Sequence, residues 1–82
     1  MRIIKFIWDF RGPTAAATAE HHLVHLKEFC AAENIAAEAF GTLAHNDFIA
    51  EAFVAASESY LELIRDRLKP HRASLYNTDS ST

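Results

Sequence analysis

The chain has 82 residues, enough for one small domain and not two. Half of the residues are hydrophobic and 23% are charged, which excludes a disordered chain and predicts a globular one. The formal net charge is -3 and the Lys and Arg residues are scattered apart from residues 65–72, which argues against a nucleic-acid partner because affinity for phosphate backbones rests on clustered cations.

No apolar run reaches the length of a membrane span and no basic, apolar leader precedes the first element, so the expectation is a cytoplasmic protein without a membrane partner. The single cysteine, Cys30, has no internal disulfide partner and fits a reducing compartment. Its place on an apolar helix stripe favours a core residue over a reactive thiol.

The first predicted element covers residues 2–11. Ile4, Phe6, Trp8 and Phe10 alternate with Ile3, Lys5, Ile7, Asp9 and Arg11, and an extended chain sends alternate side chains to opposite faces. One face is therefore an aromatic wall and the other is mixed, which predicts a central strand.

Gly12, Pro13 and Thr14 then break the pattern and open a helix, with Pro13 expected in its first turn, where no amide donor is needed. The helix is predicted to run to about Asn34, a residue type that takes the left-handed conformation at helix ends. Ala15, Ala19, Leu23, Leu26, Phe29 and Cys30 fall on one stripe at the helical period, with His22 on its shoulder.

Residues 36–56 read as two strands joined at Asn46 and Asp47, types that suit a tight hairpin turn. A loop of those two residues pairs Leu43 with Ala50, Gly41 with Ala52 and Ala39 with Val54 on one face, and Phe40 with Phe53, Thr42 with Glu51 and Ala44 with Ile49 on the other. The small-residue face is expected to receive both helices. Ile3, Ile7, Phe40, Ile49 and Phe53 are left on the open face as a candidate interface for a homodimer, because such a patch is too apolar to stay wet.

A second helix begins near Ser57 or Ser59, with Ser59 and Glu62 at capping-box spacing, buries Tyr60, Leu61, Ile64 and Leu68, and ends before Pro70. Residues 73–77 could add a last strand, so residues 1–77 form one α+β domain and residues 78–82 a polar tail.

The order β-α-β-β-α, with an optional final β, is that of the ferredoxin-like fold, an antiparallel sheet with two helices on one face. In layout and length the chain is similar to small ferredoxin-like proteins that pair sheet to sheet as dimeric α/β barrels, such as the muconolactone isomerase and YCII-related groups. His22, Leu23, Val24, His25 and Leu26 resemble the His-containing first helix of the YCII-related proteins, whose Gly-rich second strand has no counterpart here. The resemblance implies a two-fold dimer and a small-molecule cleft beside the open sheet face.

Three sets of residues carry candidate chemistry. His21 and His25 lie one helical turn apart with Glu28 three further on, so all three could reach one metal ion, although no fourth donor is evident, the zincin spacing is absent and no cofactor is expected. The topology gathers Asp9, Arg11, His45, Asp47, Lys69, His71 and Arg72 at one pole with the start of the first helix, where Arg11, His45 and Arg72 could hold a small anion. His22, His45 and His71 are the candidates for moving a proton in a cofactor-free isomerase-like or lyase-like enzyme. The simpler reading gives these histidines to a packed core edge and to solvated loop ends. The leading expectation is a homodimeric interaction or small-anion-binding module.

Overall fold

The computed structural model describes residues 2–76; the polar tail expected over residues 78–82 lies outside them, as does Asn77. The elements are β1 (Ile3–Arg11), α1 (Ala15–Ala32), β2 (Ala39–Asn46), β3 (Ile49–Ser57), a 3-10 turn (Glu58–Tyr60), α2 (Leu61–Leu68) and β4 (Arg72–Leu75). They form an α+β domain with one antiparallel sheet in the order β2-β3-β1-β4. β1 and β2 therefore run parallel with β3 between them, and β3 and β4 run parallel with β1 between them, an arrangement compatible with a ferredoxin-like layout.

β1 is the centre of the core because its alternation places Ile4, Phe6 and Trp8 against Ala56, Val54 and Ala52 of β3. All six are buried, together with Ala15, Ala19, Leu26 and Cys30 of α1 and Ile64 of α2. The small alanines of α1 and β3 let helix and sheet approach closely, and Phe6 and Trp8 fill the space beside them. Arg67 of α2 lies over the Phe29 ring of α1 at 5.8 Å, so the helices are neighbours on the same side. The Cα atoms extend only 17 Å along the short axis, the depth of two layers.

The chain leaves β1 through Gly12, whose φ of 114° is a conformation that residues with a Cβ rarely adopt. Its amide donates to the Phe48 carbonyl in the β2–β3 turn, which joins the end of β1 to the hairpin tip. Pro13 stands before the helix rather than in its first turn, and Thr14 occupies the cap position without a side-chain bond. Asn34 has a φ of 59°, as expected for the residue that turns the chain off a helix. Ser57, not Ser59, accepts the capping bond, from the Ser59 amide, and that cap opens the 3-10 turn. α2 itself starts without a side-chain cap, so the expected capping box does not form.

The hairpin register departs from expectation by one residue. Phe40 faces Val54, Gly41 faces Phe53 and Thr42 faces Ala52, with an irregularity between Ala44 and Asn46. The cause is local: the Asn46 side-chain oxygen accepts from the Phe48 amide, which makes Asp47 and Phe48 the turn and folds Asn46 into the strand. A one-residue slip changes the face of every side chain in β2. Phe40 accordingly belongs to the helix side, packed against the core with Lys27 of α1 above its ring, and leaves the expected interface set.

Candidate functional site

Both helices occupy one side of the sheet, so the other side is covered by no element among the described residues. It carries Ile3, Lys5, Ile7, Asp9 and Arg11 of β1, Ile49, Glu51, Phe53 and Ala55 of β3, Gly41 and Leu43 of β2, and Arg72 and Ser74 of β4. The expected apolar patch and the expected polar pole are thus two halves of a single surface.

The apolar half is built around Phe53. Its ring folds back over β2, with an edge carbon 2.6 Å from where a Cβ on Gly41 would stand, so only glycine admits this ring position. Tyr76 stacks on the same ring at 6.5 Å and the Lys5 ammonium sits 4.5 Å above its centre. Ile7 is buried to 5% exposure beside it although no helix lies on that side.

The polar half is an ion network. Asp9 and Glu51 stand directly opposite each other in the β1–β3 register, a placement of like charges that requires a cation. β4 supplies it: Arg72 donates from Nε to Asp9 Oδ2 at 2.8 Å, and from Nη2 to Asp9 Oδ1 at 2.7 Å and Glu51 Oε2 at 3.0 Å. His45 Nε2 lies 3.0 Å from the same Glu51 oxygen. The Glu51 side chain is only 8% exposed, whereas that of His45 is 44% exposed. The His45 contact first, and then Arg72, hold the Glu51 carboxyl below the usual carboxylate range. The Asp9 carboxyl is lowered chiefly by its hydrogen bonds from Arg72.

Of the three expected anion ligands, Arg72 is already engaged by two carboxylates and His45 by one. Arg11 is exposed, and its charge is felt at Asp9. Sequence reasoning overlooked Glu51 as the hub of this network. The signal that marks it is the paired acidic position on a strand whose partner strand also carries an acid there, with one basic residue opening β4.

The remaining histidines part company. His71 Nδ1 accepts from the Asp9 amide at 2.8 Å, and its own amide donates to the Ile7 carbonyl, so the residue ties β4 to β1. His22 is wedged against Trp8 and Phe10, with ring centroids 5.0 and 5.5 Å away, and its Nε2 is buried without a hydrogen-bond partner among the described residues. That burial, with smaller contributions from His25, His71 and His21, holds its pKa below the ordinary 6.5. His21 and His25 lie together on the exposed side of α1, where Glu28 reaches the far nitrogen of His25, so the three do not converge on one point. Cys30 is a buried free thiol whose pKa is raised by burial.

These shifts set an acid profile for stability. His22 takes up a proton more readily in the unfolded chain, so stability falls as pH drops below about 6.5 towards its lower folded value. Asp9 and Glu51 stabilise the fold above their ordinary 3.8 and 4.5, and that contribution is lost as pH falls through their lowered folded values. Thermal melts from pH 8 to 3 are expected to show both losses. His22→Leu removes the upper one and adds about 1 kcal/mol near neutrality by deleting an unsatisfied buried nitrogen. An unchanged pH profile in that variant would refute the assignment.

No family model, curated protein or solved structure matches this chain. No helix among the described residues is long and apolar enough to cross a membrane.

Proposed function

We propose that the chain is a self-associating module of ferredoxin-like type, in which the uncovered sheet face of one copy packs on the same face of a second. The observation that carries this is the Phe53 ring folded over Gly41, stacked by Tyr76 and opposite Ile7 on a side that neither helix covers. The interleaved strand order of two split βαβ units supports the ferredoxin-like assignment.

Charge permits the pairing. The face carries Lys5, Arg11 and Arg72 against Asp9 and Glu51, and Arg72 is neutralised within its own copy, so two such faces meet without strong like-charge repulsion. Strands of this length and number present a face of roughly 500–600 Å² per copy, or about 1,100 Å² buried in a pair, at the lower end for a specific interface. The dimer is therefore expected to be reversible. Among the candidate proton carriers, Nε2 of His22 is buried by packing, while His45, backed by Glu51, and His71, whose Nδ1 accepts from the Asp9 amide, are both exposed to a bound molecule.

Light scattering of the full chain tests the proposal. Wild type is expected at twice the 9.2 kDa chain mass, and Phe53→Glu at the single mass with its circular dichroism retained. Ile3→Glu serves as a second variant, since Ile3 is half-buried at the end of β1. A monomeric wild type, or a dimer indifferent to both substitutions, overturns the reading.

A further inference from the structure

The outer side of α1 bears a pair of imidazoles with no part in the sheet face. His21 and His25 stand one helical turn apart, their rings nearly perpendicular, with the two Nε2 atoms 3.1 Å from each other. Glu28 Oε1 lies 3.3 Å from Nδ1 of His25. All of this is exposed, the His25 and Glu28 side chains at 57% and 68%. Among the described residues no group of three or more metal-ligating side chains is close enough to hold an ion, so the chemistry available is that of two nitrogen donors.

We propose that His21 and His25 form a bidentate site for a late first-row divalent cation such as Cu²⁺, Ni²⁺ or Zn²⁺, with Glu28 orienting the His25 ring from behind. The distance carries the argument. Two nitrogens bound to one metal at about 2.0–2.1 Å stand about 2.9 Å apart at a right angle and about 3.4 Å apart at the tetrahedral angle. The observed separation falls between these values, so an ion needs only a rotation of the two rings to turn both lone pairs towards it, with no change of helix geometry.

Tautomers point the same way. The Glu28 carboxylate 3.3 Å from Nδ1 of His25 favours the proton on that nitrogen and so leaves Nε2 as the acceptor or ligand atom, the outer-shell arrangement common for a metal-bound histidine. His21 then donates its Nε2 proton towards His25 while no metal is bound, and shifts that proton to Nδ1 when one binds. α1 is a firm base for the pair, because Ala19 and Leu26 on its other side are fully buried. Imidazole donors select late transition ions over Mg²⁺ and Ca²⁺, and two protein ligands leave positions open to water or to a donor from another molecule.

The test uses the full chain without any affinity tag. Calorimetric titration with Zn²⁺ and with Ni²⁺ is expected to give one site per chain, and the spin-resonance spectrum with Cu²⁺ to show two equatorial nitrogens. His21→Ala and His25→Ala are each expected to weaken binding at least tenfold and to remove the two-nitrogen pattern. Glu28→Gln is expected to weaken it several-fold to tenfold with the pattern intact, the signature of an orienting residue. Glu62→Gln, on the exposed side of α2, and 1 mM Mg²⁺ are expected to change nothing. Binding that survives His21→Ala and His25→Ala undiminished, or a wild type that takes up no ion at micromolar concentrations, overturns the site.

Discussion

Trp8→Ala is expected to remove roughly a quarter or more of the stability of the fold. Trp8 is 3% exposed at the centre of β1, and its indole Nε1–H donates to the Leu68 carbonyl at 2.8 Å. Removing so large a buried ring costs about 3–5 kcal/mol, a large share of the roughly 4–12 kcal/mol that a domain of this size has in total. The hydrogen bond has a separate role. Leu68 is the last residue of α2, and Lys69 after it adopts the left-handed conformation that ends the helix, so the indole anchors the carboxyl end of α2 to the sheet. Trp8→Phe keeps most of the apolar volume and deletes the donor, and is expected to cost about 1–2 kcal/mol with faster amide exchange in α2 than in α1. Urea unfolding followed by circular dichroism, with amide exchange by NMR, measures both. A Trp8→Phe variant as stable as wild type would remove the anchoring role.

Ala52→Leu and Ala55→Leu are expected to differ sharply although both alanines are 0% exposed in the same strand. Ala52 faces the helices between Trp8 and Thr42, in the layer that Ala15 and Ala19 of α1 share, where close packing leaves no room for a larger group. Three added carbons there push helix from sheet, at a cost of about 2–3 kcal/mol or more. Ala55 faces the other way, between Lys5 and Ala39, where only side chains cover it and can swing aside. Its substitution is expected to cost about 1 kcal/mol or less. Melting temperatures separate the cases, at roughly 4–8 °C per kcal/mol for a domain of this size. Equal losses would mean that the uncovered face is as tightly packed as the core.

The legible part of this protein lay in its periodicities. Alternation in β1 sorted Ile4, Phe6, Trp8 and Phe10 from Ile3, Lys5, Ile7, Asp9 and Arg11 as the sheet does, and the stripe on α1 correctly named Ala15, Ala19, Leu26 and Cys30 as buried. Pro70 and Asn34 marked helix ends for reasons internal to their own backbones. The polar pole was legible as a location: His45, His71, Arg72 and Asp9 do meet there. Its wiring was not, because nothing in residues 49–57 says that Glu51 will stand opposite Asp9 until β1 and β3 are paired.

The hairpin marks the boundary between the two kinds of information. Composition placed a turn near Asn46 and Asp47, but whether Asn46 ends the strand or joins the turn depends on one side-chain bond to the Phe48 amide. That bond moved Phe40 from the open face to the helices and set Phe53 over Gly41. By itself the sequence determined which residues share a face within each strand and helix, since that follows from the fixed geometry of one element. Only the tertiary structure decided which faces meet across strands, how Arg72 closes the gap between Asp9 and Glu51, and what buries Nε2 of His22, because these rest on register and neighbour choice, to which a local repeat is blind.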